Sequence, residues 1–164
     1  MFFASTTFTL IHTALSVVGI VAGFAAAAGL LRGELRSGWT ALFLGATIAT
    51  CVTGFLFPFD QFLPSHWVGV ICSIFLAVAV YALYAAHLAG IWRTVFVVTA
   101  MISLYLNVFV LVVQAFRKVP FLHALAPTES ELPFSAAQGV VFLLFVGLTV
   151  AAVRAFRGRA PLPA

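Results

Sequence analysis

Apolar residues dominate five stretches of the chain, at residues 8–31, 39–57, 66–88, 93–116 and 134–153. Each is about 19 to 24 residues long, and a helix needs ~20 apolar residues to cross the hydrocarbon of a bilayer. The pattern predicts an all-α integral membrane helical bundle of five transmembrane helices, occupying residues 1–164 as a single domain. Residues that stop a helix separate the runs. Arg32, Gly33, Glu34 and Arg36 form a charged turn after the first, and Pro58 ends the second because a proline pushes its predecessor out of the α region. Gly90 closes the third, and Arg117, Lys118 and Pro120 close the fourth.

The loop between the second and third runs, GFLFPFDQFLPSHWVG at residues 54–69, carries Asp60 and leads into His66. Ser65 is expected to cap the third helix there. The longest polar interval, residues 119–133, holds Pro120, Pro127, Pro133, Glu129 and Glu131 and reads as a loop. Two pairs near it have capping-box spacing, Thr128 with Glu131 and Ser135 with Gln138. The second is the better placed, since an apolar run follows it directly. A basic tail with Arg154, Arg157 and Arg159 ends the chain.

Composition agrees with this pattern. Of 164 residues, 64% are apolar and 7% charged, against roughly 25% charged in a soluble domain. The formal charge of +4 comes from eight basic residues that flank the apolar runs and form no patch. The expected partner is therefore the lipid bilayer and not nucleic acid. No Lys or Arg precedes Arg32, so the first run reads as a span and not as a signal peptide. Cys51 and Cys72 lie inside apolar runs without metal-ligand spacing and imply no disulfide framework.

Basic residues also set an expected orientation. Arg32, Arg36, Arg93, Arg154, Arg157 and Arg159 fall at one side of a five-span protein, and only Arg117 and Lys118 at the other. The basic side is expected in the cytoplasm, with the N-terminus and the Asp60 and Glu129 loops outside and the C-terminus inside. In a bacterium this places the protein in the cytoplasmic (inner) membrane. Trp39 and Trp92 are expected in the inner aromatic belt and Trp67 in the outer one.

Helical spacing picks out the faces that meet protein. His12, Ser16, Gly19 and Gly23 share one stripe of the first span, which includes a GxxxG, and small residues let helix backbones approach closely. His66, Gly69, Ser73 and Ala77 form a stripe on the third span, and Thr99, Ser103, Asn107 and Gln114 on the fourth. Thr47, Thr50, Thr53 and Ser73 can satisfy themselves on their own i−4 carbonyls. Asn107 has no such local solution. At ~1.5 Å per residue, His12, His66, Asn107, Gln114 and Gln138 all fall in the outer half of the membrane. They form a candidate ligand-binding polar cluster.

No HExxH, P-loop or GxSxG is present, and all four acids lie in loops, so no catalytic residue is assigned. No span is broken at mid-depth in the manner of secondary transporters. Two readings follow. One is a non-enzymatic membrane protein, an accessory subunit or a small-solute binding or permeation module, acting alone, as a homo-oligomer or beside a membrane-complex partner. It needs no cofactor or metal. The alternative is a membrane redox protein in which His12 and His66 ligate haem b or bind a quinone. The strings TGFLFP at 53–58, PSHWVG at 64–69, LNVFVLV at 106–112 and ALAPT at 124–128 resemble those of a family of small bacterial multi-span membrane proteins. That resemblance implies a compact helical membrane protein and assigns no activity.

Overall fold

A computed structural model describes residues 6–57 and 64–157; Pro58, Asp60 and Arg159, used above, lie outside them. Five helices in it are long and apolar enough to cross a membrane. They are α1 (Thr6–Leu31), α2 (Ser37–Phe55), α3 (Pro64–Val80, continued by a π-helical turn Tyr81–Ala85), α4 (Trp92–Lys118) and α6 (Leu132–Arg157). A short α5 (Pro120–Leu125) joins the last two. The residues expected as one loop between 119 and 133 thus contain a helix, and Pro120 opens it at the one turn where a missing N–H costs nothing.

Local chemistry explains the ends. After α1, Gly33 adopts a left-handed φ of 72°. Its N–H donates to Leu30 O at 3.0 Å and that of Glu34 to Gly29 O at 2.9 Å. This is the paired closure by which a glycine ends a helix. The third span stops near Ala85, short of the expected residue 88, for a related reason. His87 and Leu88 both take left-handed φ values, 48° and 55°, and the Leu88 N–H reaches back to Ala82 O at 3.0 Å. Buried Leu88 and the edge-on packing of Tyr81 on Trp92, with centroids 5.0 Å apart, fix that reversal.

The capping expectations change places. Ser65 lies inside α3, which begins at Pro64. Ser135 lies inside α6, its N–H bonded to Glu131 O at 3.1 Å, and Gln138 turns away from it. Glu131 instead clamps the preceding turn: its carboxylate accepts from the Thr128 N–H at 3.1 Å, the Thr128 hydroxyl at 2.9 Å and the Ser130 N–H at 3.1 Å. Desolvation raises the Glu131 pKa, but these donors outweigh it and hold the carboxyl below the usual range. Beside this clamp Arg117 pairs with Glu129.

The bundle is a ring in the order α1, α2, α3, α4, α6, with α4 also touching α1 across the middle. α4 is accordingly the most buried span and α6 the least. On α6 a narrow stripe of Gln138, Phe145, Ala152 and Phe156 is buried, whereas Val140, Phe142, Leu143, Leu144, Val146 and Val150 face outward. Apolar side chains pointing out of the bundle are what lipid solvates.

Packing differs between the two halves. Toward the Arg32–Arg36 turn, Ala26, Ala27 and Leu30 of α1 pack with Phe43 of α2 and with Phe96, Ala100, Met101 and Leu104 of α4, around a void of only about 10 Å³. Gly23 sits at the top of this block. A Cβ built there would lie 2.5 Å from Leu104 Cδ1 and 2.9 Å from Phe43 Cδ2. Gly19, one turn on, admits the Thr47 hydroxyl, which a Cβ would approach to 3.1 Å. The small-residue stripe therefore faces protein on both α2 and α4.

Gly23→Leu should lower thermal stability in detergent by the order of 3 kcal/mol relative to Gly45→Leu. Gly45 has nothing within 4 Å of its Cβ position, so the pair cancels the helix propensity of leucine. Equal melting temperatures for the two variants would contradict the packing described.

Candidate functional site

Above Gly23 the helices part. Between α1, α2, α3 and α4, toward the end bearing residue 57, lies a cavity of about 590 Å³, within the ~300–1,000 Å³ range of small-molecule sites. It runs along α1 from Thr9 to Ile20 and along α4 from Lys118 to Leu106, a depth of ~16–18 Å at 1.5 Å per residue. That is close to half of a ~30 Å hydrocarbon core. Thr13 and Val17 of α1 and Leu111 and Gln114 of α4 line the cavity and are themselves exposed. The cavity is therefore a cleft that opens sideways, between α1 and α4.

His12 stands on the α1 wall. Its Nδ1 is 2.8 Å from Thr53 Oγ1, and the Thr53 hydroxyl is 2.7 Å from Ala49 O, the i−4 carbonyl of its own helix. A hydroxyl has one proton. With that proton on the Ala49 carbonyl, Thr53 accepts from His12, which assigns the Nδ1–H tautomer and leaves Nε2 as an open acceptor. Phe57 packs edge-on against the imidazole, with centroids 5.2 Å apart, and Gly54 leaves room for its Cε1. These contacts hold the ring against α2.

His66 lines the same cavity from the start of α3. It is buried and stacks on Phe55 at 6.3 Å. Gly69, one turn further, makes space for that phenyl ring, which a Cβ would meet at 3.2 Å. Asn107 reaches the cavity from α4 and donates from Nδ2 to Thr47 Oγ1 at 3.2 Å. Thr47 is fully buried. The bond ties α4 to α2 directly, and bonds of this kind are worth ~0.6–2 kcal/mol in a membrane. Gln114 lines the mouth, one turn before Lys118.

Four of the five polar residues proposed from spacing, His12, His66, Asn107 and Gln114, are thus brought to one cavity. Gln138 is not. It sits on α6, none of whose residues lines the cavity, where Nε2 donates to Phe109 O at 3.2 Å and Oε1 has no hydrogen-bond partner among the described residues. Depth places a residue along the bundle axis but not around it, and Gln138 is turned to α4 from a helix that stands between α4 and α1 in the ring. The self-satisfied hydroxyls behave as their type dictates: Thr50 bonds Ala46 O at 2.9 Å and Ser73 bonds Gly69 O at 2.8 Å.

Sequence reasoning missed two features. Lys118 lines the cavity as well as ending α4. Its position four residues after Gln114 and eleven after Asn107 was the available signal, since these spacings share one helix face. The second is the thiol pair. Cys51 of α2 and Cys72 of α3 both line the cavity, close enough for the two thiols to influence each other. Nothing in a separation of 21 residues across a loop announces that proximity.

Among the described residues, no group of three or more His, Cys, Asp or Glu side chains is arranged to hold a metal ion. No family model matches the chain, and no match is found among curated proteins or solved structures.

The proximity of Cys51 and Cys72 is directly checkable. Mild oxidation with copper-phenanthroline should remove both maleimide-reactive thiols together through an intramolecular disulfide, whereas Cys51→Ser should leave Cys72 reactive after the same treatment. Persistence of both thiols in the wild type would place the two cysteines apart.

Proposed function

We propose that the protein is a binding module for a small amphipathic molecule, which enters the cleft sideways from the bilayer through the gap between α1 and α4. The observation that carries this reading is the cleft itself, a volume of about 590 Å³ confined to one half of a bundle whose other half is tightly packed. Its walls are largely apolar, and polar side chains, among them His12, His66, Asn107, Gln114 and Lys118, are spread along its depth. Such a pattern suits a ligand with an apolar body and a polar head. The role is that of an accessory or small-solute binding protein.

Placement in the membrane belongs to the same proposal. Five of the basic residues, Arg32, Arg36, Arg93, Arg154 and Arg157, gather at the tightly packed end of the bundle, where Arg93 lies over the Phe156 ring at 5.0 Å. By the positive-inside rule that end is cytoplasmic. The cleft then lies in the outer leaflet of a bacterial cytoplasmic membrane, with the N-terminus outside. Reporter fusions after Arg36 and Gly90 should read as cytoplasmic, and one near Glu129 as external; a cytoplasmic Glu129 would invert the orientation.

A second reading draws on His12. An imidazole whose Nδ1–H is held by a partner and whose Nε2 is open has the arrangement of a metal-bound histidine, and it equally suits a hydrogen bond from a quinol hydroxyl. With His66 on the same cavity, haem b or a quinone is the alternative occupant.

One set of measurements separates these readings. A dansyl-labelled single-chain amphiphile should bind the purified protein in nanodiscs. Thr13→Trp, which fills the mouth, should weaken that binding at least tenfold, whereas Leu10→Trp on the lipid-facing side should not change it. Binding unaffected by Thr13→Trp would remove the cleft as the site. A Soret band in the purified protein, abolished by His12→Ala, would favour haem over the amphiphile.

A further inference from the structure

Among the described residues, the charges around the cleft are not balanced. At the end of α4 two cations stand side by side and face different ways. Arg117 points to the α4–α6 connection and is neutralised by Glu129. Lys118 lines the cleft and has no carboxylate partner among the described residues. Among the described residues, no Asp or Glu lines the cavity. The polar side chains on the α4 wall, Asn107, Gln114 and Lys118, form one stripe with Leu111, which rises from a neutral amide at mid-depth to a single positive charge at the mouth.

A lone ammonium at the rim of a largely apolar cleft attracts one negative charge, and the attraction is stronger there than in water because the surroundings are less polar. Lysine acts as a compact point charge with three donors and no fixed fork. It is matched by a singly charged head group. Gln114, one turn deeper, can donate to the same head group, and the open Nε2 of His12 can accept from a hydroxyl nearby. The depth of ~16–18 Å below Lys118 accommodates the chain of a lipid from one leaflet.

We infer that the ligand is a single-chain amphiphile with a carboxylate head, held by Lys118 at the mouth with its apolar chain lying along α1 and α4 in the cleft. This rests on the binding role proposed above and names the class of molecule bound. The carboxylate is chosen over a phosphate because, among the described residues, a single cation without a carboxylate partner faces the cleft, whereas a phosphate monoester carries close to two negative charges at neutral pH.

The test is a competition in nanodiscs of neutral lipid, displacing a dansyl-labelled alcohol with a fatty acid, the fatty alcohol of equal chain length and the corresponding alkyl phosphate. The wild type should prefer the acid to the alcohol at least tenfold. Lys118→Gln should abolish the preference while leaving the affinity for the alcohol within about threefold, and Lys118→Arg should retain it. Equal displacement by acid and alcohol in the wild type, or a preference that survives in Lys118→Gln, overturns the assignment of Lys118 and leaves the cleft as a site for neutral amphiphiles. Tighter binding of the alkyl phosphate than of the acid overturns the carboxylate head. If neither acid nor alcohol displaces the probe, the binding role itself fails.

Discussion

The close approach at Gly23 determines the shape of everything above it. With no side chain of its own, that residue lets Leu104 of α4 and Phe43 of α2 come within contact of the α1 backbone, and this pins three helices together at one depth. Below it, alanines, Phe96 and Met101 complete a dry block. Above it the interface changes in kind. Larger and more polar residues, His12, Thr53, Asn107 and Gln114, replace the alanines, and the helices are held by hydrogen bonds between side chains. Lipid tails give no hydrophobic drive to close such a gap, because they are as apolar as leucine. A bundle pinned at one end and polar at the other stays open, and the cleft results.

The polar residues are also what keep the open half defined. His12 locks α1 to α2 through Thr53, and Asn107 locks α4 to α2 through Thr47, so α2 serves as a common wall against which both flanking helices are set. Gly19 and Gly69 extend the logic, each giving up a Cβ so that a neighbour, Thr47 or the Phe55 ring, can occupy the space. The Nδ1 edge of His12 and one amide N–H of Asn107 bond protein, and both side chains also line the cavity.

Much of this was legible in the chain. The five apolar runs matched the five long helices because length and composition alone fix a membrane span, and the GxxxG stripe on α1 faces protein because small residues have no other use there. Depth counting picked out His12, His66, Asn107 and Gln114, which line one cavity and are spread along its depth. It failed for Gln138, whose position around the bundle depends on the order of helices in the ring, and no short-range signal specifies that order. The proximity of Cys51 to Cys72 was hidden for the same reason. Helix ends were read less well than helix centres. Ser135 and Ser65 had capping chemistry but lie inside helices, and α3 ends early because His87 and Leu88 accept left-handed conformations that a sequence without glycine at those positions does not advertise.

The account turns on whether the cleft between α1 and α4 is occupied from the bilayer, and native mass spectrometry of the wild-type protein released from its own membranes measures this most directly. One retained single-chain amphiphile per chain, surviving collision energies that strip the surrounding lipid, is the result the proposed binding role predicts. A bare polypeptide at the lowest energy that frees it from detergent would contradict it.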